Sequence, residues 1–157
     1  MFMSLDRVKN YFSTLGMENR VKVLNGSSAT VEQAAQTLGC LPEKIAKTMS
    51  FSLNESKSIL IVMAGDARVD NKKYKTFFGK RAKMIPKDAV EQAIGHSPGG
   101  VCPFAINADV EVYLDKTLEK FDWIYPAAGD SQSAVELTPG ELEKYSSAKD
   151  WIDVAKE

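Results

Sequence analysis

Thr48-Met49-Ser50-Phe51-Ser52-Leu53-Asn54-Glu55-Ser56-Lys57-Ser58-Ile59-Leu60-Ile61-Val62-Met63-Ala64 carries two different β patterns in succession. In the first, Met49, Phe51 and Leu53 fall on one face and Thr48, Ser50 and Ser52 on the other, the period of two that marks a strand. Residues 59–63 are apolar without alternation, as expected of a central strand covered on both faces. Asn54-Glu55-Ser56-Lys57 supplies a turn between them, so the stretch predicts a hairpin. Lys47 stands immediately before it. If the first strand begins at Lys47, the lysine shares the apolar face, where an ammonium costs stability unless it reaches water or a partner. A strand-end lysine that snorkels to solvent and a cation held for a ligand both satisfy that spacing.

Working outward, Ser4 can cap a helix that turns Leu5, Val8, Phe12 and Leu15 inward and closes at Gly16. Residues 20–25 read as a strand. Thr30 and Gln33 have capping-box spacing for a helix ending near Gly39, and Pro42 suits the first turn of another short helix. Asp70 can cap a helix reaching Phe78 before Gly79, and a further helix runs from near Pro86 to near Gly95. Segments 110–114 and 123–127 read as strands, and Val135 with Leu137 suggests one more. Thr138-Pro139-Gly140-Glu141 opens a last helix by another capping box, and Trp151-Ile152 adds an apolar staple. Helices and strands interleave without a strict repeat, which predicts one compact α+β domain over residues 1–157 with a mixed sheet.

No apolar run approaches the roughly 20 residues of a membrane-spanning helix, and no signal-peptide pattern opens the chain at Met1-Phe2-Met3. Cys40 and Cys102 fit no metal or redox spacing. Two lone thiols without an export signal predict a reducing cytoplasm. A formal net charge of -1 argues against strong nucleic-acid binding, but the charge is unevenly spread. Residues 71–87 hold Lys72, Lys73, Lys75, Lys80, Arg81, Lys83 and Lys87 and no acidic residue. That run is either a solvated helix face or a surface for weak, salt-sensitive phosphate contacts.

Gly95-His96-Ser97-Pro98-Gly99 matches the G-x-S-x-G pattern of serine hydrolases, and chemistry excludes it. That motif follows a strand, whereas here a helix precedes it. Pro98 has no N–H to offer an oxyanion, and His96, the chain's one histidine, is adjacent to Ser97. A Cys102–His96 pair has no other base to call on, and no His, Cys and Asp cluster has metal-ligand spacing. Pro98-Gly99-Gly100-Val101-Cys102-Pro103-Phe104 holds more promise. Adjacent glycines let backbone approach a ligand, and amides left free between prolines can hold a carbonyl oxygen as charge grows on it. One such donor is worth about 2.7–4 kcal/mol of barrier. A rigid turn fits the same residues.

In order along the chain, Ser28-Ala29-Thr30-Val31-Glu32-Gln33-Ala34-Ala35, Leu38-Gly39, Ile45-Ala46-Lys47-Thr48, Gly65-Asp66, Arg68-Val69-Asp70, Gly99-Gly100-Val101-Cys102-Pro103-Phe104 and Ala127-Ala128-Gly129 resemble the YbaK/prolyl-tRNA-synthetase-associated editing domain family. No single piece is specific; the ordered set, which runs through nearly the whole chain, is. The resemblance implies a partly rolled mixed sheet with surrounding helices. It implies hydrolysis of the ester that links a wrong amino acid to a tRNA, without metal or cofactor. The implied partners are misacylated tRNA, tRNA(Pro) above all, and prolyl-tRNA synthetase. It places Lys47 on the family's functional lysine and Gly99, Gly100, Val101 and Pro103 on its G-x-x-x-P substrate loop. Ser28 and Asp130 are expected to join that loop in binding substrate. Alanines near residues 127–134 depart from the serine and aspartate of the cysteinyl-clearing branch and point to alanine, serine or threonine.

An aminoacyl ester is already activated, so positioning and charge stabilisation suffice without a strong protein nucleophile. The expected arrangement has Lys47 on a phosphate or the substrate carbonyl, amides of residues 99–101 on the carbonyl oxygen, and water as nucleophile. Lys72, Lys73, Lys80, Arg81 and Lys83 are expected to guide the acceptor stem. The competing class is a catalytically silent tRNA- or synthetase-binding module of the same fold.

Overall fold

The computed structural model describes residues 4–157, and Met1-Phe2-Met3 lies outside the described residues. The helices are α1 (Ser4–Thr14), α2 (Val31–Leu38), α3 (Asn71–Phe78), α4 (Val90–Ile94) and α5 (Pro139–Ser146). The strands are β1 (Val21–Val23), β2 (Ile45–Asn54), β3 (Lys57–Ala64), β4 (Glu111–Asp115), β5 (Tyr125–Pro126), β6 (Ser133–Val135) and β7 (Asp150–Ile152).

The unalternating run is the centre of the molecule. β3 is the middle strand of a sheet ordered β5-β2-β3-β4-β7, and residues Ile59, Leu60, Ile61, Val62 and Met63 are fully buried. β2 runs antiparallel to β3, with Asn54 opposite Lys57 across Glu55-Ser56. β4 lies parallel on the other side of β3, β7 parallel to β4, and β5 parallel to β2. The sheet is therefore mixed, and it curls into a half-barrel. β1 and β6 form a separate antiparallel pair. Val8 and Phe12 of α1, Tyr74 of α3, Ile94 of α4 and Leu142 of α5 close on β3 in one core. Ala34 and Ala35 of α2 pack separately on Ile45 at the start of β2. No helix among the described residues is long and apolar enough to cross a membrane.

Several local expectations are corrected. Helix α1 ends at Thr14, so Leu15 falls beyond it and stays 39% exposed. Thr30 caps α2 by accepting from Gln33 N–H, but the box is half formed because the Gln33 side chain pairs with the Ser27 hydroxyl. The Thr138 box is complete, and its Glu141 also takes Arg20 in an ion pair at 2.8 Å. β2 begins two residues before Lys47, and it is covered on both faces, since Ser50 is buried as well as Phe51. The apolar Trp151-Ile152 pair is no loose staple: it belongs to the edge strand β7.

Candidate active site

β2 has an outer edge that is covered at both ends and open in the middle. At its start Ala46 pairs with Pro126 of β5. Proline lacks an N–H and sits naturally where a sheet edge stops, and pairing on that side ends there. Farther along, Ile85 N–H donates to Ser50 O at 3.1 Å and Ser52 N–H to Lys83 O at 2.9 Å. Between them Lys47, Thr48 and Met49 have no strand partner on that side among the described residues. Backbone groups alternate in direction along a strand, so Thr48, sharing parity with Ala46, Ser50 and Ser52, turns its N–H and C=O into the gap. The Thr48 hydroxyl is buried there without a hydrogen-bond partner among the described residues.

A cavity of about 110 Å³ fills this gap. Its apolar wall is small: Ala34, Ile45, Ala46, Ala127 and Ala134, with Tyr125 and Val31 beside them. Ser28, Ala29 and Thr30 close one side, Pro98, Gly99 and Val101 form the lip, and Lys47 and Thr48 supply the polar wall. Adjacent residues with opposite side-chain directions line one cavity because it lies at the sheet's edge rather than on a face.

Lys47 is half-buried, and its ammonium donates to the carbonyl of Ala67. Burial holds its pKa below the ordinary lysine value; Asp66 and Glu32 oppose that shift and Arg68 adds to it. Asp66 and Arg68 are exposed, so they set the field at the cavity mouth and form no ion pair with each other. Lys47 thus keeps one fixed acceptor and two remaining N–H donors.

The two loop glycines differ. A Cβ on Gly100 would lie 2.3 Å from Asp130 N and Gly129 C, so bare backbone is required where two loops cross. A Cβ on Gly99 would meet only Ser131 and Ala29 Cβ atoms at 3.4 and 4.0 Å, which is ordinary contact. The Gly100 amide is also spent within the 3-10 turn Pro98–Gly100, donating to Ser97 O at 2.9 Å. The amides of Gly99 and Val101 have no protein acceptor among the described residues.

Ser28 lines the cavity, but its hydroxyl is engaged: it accepts from Ser133 N–H and donates to Ser133 O, each at 3.1 Å. Asp130 is not on the wall. Its carboxylate accepts from Gln132 N–H and the Ser133 hydroxyl and so shapes the loop that carries Ser133 and Ala134 to the cavity. Pro103 lies away from the cavity, beside a separate surface depression with Tyr11 and Val110. The basic run divides. Lys73 is tied to Asp153, Glu157 and the Ala155 carbonyl. Lys72, Lys80, Arg81 and Lys83 are exposed, and Lys80 donates to Leu53 O. Leu53 lies six residue steps beyond Lys47, about 20 Å along β2. Sequence reasoning missed Thr48: a threonine on the polar face of an alternating strand looks like surface, and only the open edge changes that.

His96 and Cys102 are fully buried. His96 Nε2 lies 2.6 Å from Phe104 O and 3.5 Å from Cys102 Sγ. Burial lowers the histidine pKa and pushes the thiol up to about 12. No group of three or more His, Cys, Asp or Glu among the described residues could hold a metal ion.

The fold and sequence are similar to those of known proteins. A solved structure described as a proposed trans-editing enzyme for prolyl-tRNA synthetase superposes with a TM-score of 0.87 at 26% identity, covering 100% of this chain and 99% of its own. YwhH of Bacillus subtilis, an uncharacterised protein, is 48% identical over 155 residues, 99% of each chain. EbsC of Enterococcus faecalis, a proposed Cys-tRNA(Pro)/Cys-tRNA(Cys) deacylase, is 26% identical over 111 residues, 70% of this chain and 68% of its own. The aminoacyl-tRNA editing domain model matches residues 26–145, a span that holds the open edge of β2, the glycine loop and the alanine wall, and the chain belongs to that family.

Proposed function

We propose that this protein is a trans-editing aminoacyl-tRNA deacylase that hydrolyses the ester of a misacylated tRNA, tRNA(Pro) bearing alanine, serine or threonine. One observation carries the reading: Lys47, Gly99 and Val101 line the same small, alanine-walled cavity, and the Gly99 and Val101 amides have no acceptor among the described residues. The amino acid enters the cavity, whose apolar wall is built largely of alanines and so favours a small side chain. Gly99 and Val101 N–H groups take the ester carbonyl oxygen as charge develops. Lys47, held by Ala67, places a positive charge at the mouth where the terminal adenosine's phosphate or the carbonyl lies. Water attacks, assisted by the neighbouring ribose hydroxyl or the substrate amine. Thr48 offers its free hydroxyl to a polar substrate side chain. Lys72, Lys80, Arg81 and Lys83 contact acceptor-stem phosphates, and prolyl-tRNA synthetase is the candidate protein partner.

The decisive assay is deacylation of Ala-, Ser-, Thr- and Cys-tRNA(Pro) by wild type and Lys47→Ala. Hydrolysis of one or more by wild type, with loss in the variant, is expected. Equal rates remove the role of Lys47. No hydrolysis of any leaves the silent tRNA- or synthetase-binding module, for which retained tRNA binding without turnover is the signature.

A further inference from the structure

Asp115 is fully buried, carries no ion pair among the described residues and plays no part in the chemistry above. A buried carboxylate without a cation is costly unless its oxygens are satisfied. Here both are, in two directions. Oδ1 accepts from Thr117 N–H at 3.0 Å, capping the 3-10 turn Lys116–Leu118. Oδ2 accepts from Val154 N–H at 2.9 Å in the C-terminal segment. A cap alone is served equally well by serine, threonine or asparagine. Only a carboxylate presents an acceptor on each side.

Both branches lead to the loop that carries the acceptor of Lys47. Through the first, the Thr117 hydroxyl accepts from Ala64 N–H at 3.1 Å, and Ala64 O accepts from Ala67 N–H at 2.9 Å. Through the second, Val154 O accepts from Asp70 N–H at 2.7 Å, Ala155 bridges Val69, and Lys156 N–H donates to Arg68 O at 2.8 Å. The two branches meet on either side of Ala67, whose carbonyl receives the Lys47 ammonium. Gly65 presses the loop's other end against β2's approach, with no room for a Cβ, which would lie 2.1 Å from Pro42 O.

We infer that Asp115 is a positioning residue that fixes Lys47 in the cavity by holding the Ala64–Asp70 loop from both sides, with Thr117 and Val154 as its two arms. The inference deepens the proposed function and rests on Lys47 serving the substrate there.

The test pairs Asp115→Asn with Thr117→Val and Thr117→Ser, and reads two quantities. The first needs no substrate: the titration of the Lys47 side-chain nitrogen by NMR in 15N-lysine protein, assigned with Lys47→Arg. The second is kcat and KM for deacylation. Asp115→Asn sets an amide NH2 against one of the two backbone N–H groups. With the loop loosened, the Lys47 nitrogen gains water, and its titration moves up toward the ordinary lysine value. A fall in kcat of about 10-fold with KM within 2-fold is expected. Thr117→Val cuts one arm and shows a smaller change in the same direction, whereas Thr117→Ser keeps the hydroxyl and behaves as wild type. A folded Asp115→Asn protein with unchanged Lys47 titration and unchanged kcat overturns the inference. If Asp115→Asn does not fold, identical Lys47 titrations in the two Thr117 variants overturn it. A Lys47 titration that moves in Asp115→Asn, when wild type itself hydrolyses no misacylated tRNA, upholds the positioning and removes the reaction.

Discussion

Two settings for residues of catalytic type contrast in this molecule. In one, Lys47 lines a cavity at an open strand edge. In the other, His96 and Cys102 touch at 3.5 Å with no exposed surface. Burial depresses the pKa of both Lys47 and His96, but with different consequences. Partial burial leaves the Lys47 ammonium poorly solvated, so it gains by meeting an anion or a developing oxyanion. Complete burial leaves His96 neutral and keeps the Cys102 thiol protonated, so neither attacks anything. Access and solvation, more than residue type, decide which pair can do chemistry.

The largest expected effect breaks the cavity side. Lys47→Ala should lower kcat/KM for deacylation by roughly 100-fold or more, the scale of losing one charge-stabilising contact. Stability should move the other way. Because the folded state holds the Lys47 proton less firmly than the unfolded chain, the lysine contributes an instability that is fully present below its folded pKa. That instability disappears as pH rises through the window between the lowered folded value and 10.5. Lys47→Met should therefore unfold at a higher denaturant concentration at pH 7, and match wild type above pH 10.5. A variant less stable at pH 7 would mean that the bond to Ala67 outweighs desolvation. In wild type, the part of the activity that depends on Lys47 should decline at a pH below the ordinary lysine range.

Next in size is the polar group at the open edge. Thr48→Val keeps the shape and removes the hydroxyl, so Ser- and Thr-tRNA should lose about 5-fold in kcat/KM relative to Ala-tRNA, the scale of one neutral hydrogen bond. An unchanged ratio would confine Thr48 to its backbone. Smaller still is the effect of the distant cations. Lys80→Ala, Arg81→Ala and Lys83→Ala together should raise KM by a few fold at low salt and flatten its salt dependence, with kcat constant. An unchanged salt slope would make that run a solvated surface.

The hairpin, the α+β interleaving and four helix caps or stops were legible because each is local: period two, an apolar run, Asp70, Thr138, Gly39 and Gly79. Lys47 stood out for the same reason, being a charge at the head of an apolar pattern. Thr48 was invisible because its significance depends on what fails to cover β2 between Pro126 and Ile85, residues separated from it by dozens of positions. Gly99 and Gly100 looked alike in sequence, yet only the crossing of residues 129–130 separates a glycine needed for packing from one that is not. Asp130 is expected from the sequence to bind substrate, and the structure adds a second role: its Oδ1 accepts from Gln132 N–H and the Ser133 hydroxyl in its own loop, a three-residue geometry that composition does not encode.

The smallest effect on turnover should come from the buried pair, and it is the sharpest check on the contrast. Cys102→Ala removes the sulfur beside His96 and leaves a small void, which should cost about 1 kcal/mol, or roughly 2–4 °C in Tm. kcat and KM should stay within 2-fold of wild type. The native thiol, with its pKa raised to about 12 by burial, should resist alkylation until the protein unfolds, while the half-buried Cys40 reacts first. His96 adds a pH signature of its own. Its folded pKa lies below 6.5, so the unfolded chain takes up the proton first and stability falls as pH drops below 6.5. His96→Gln should flatten that slope without touching the basic limb set by Lys47. If instead Cys102→Ala abolished turnover at unchanged Tm, the thiol would have to reach substrate through a loop whose Gly100 has no clearance for one extra carbon, and the division between the two sides would fall.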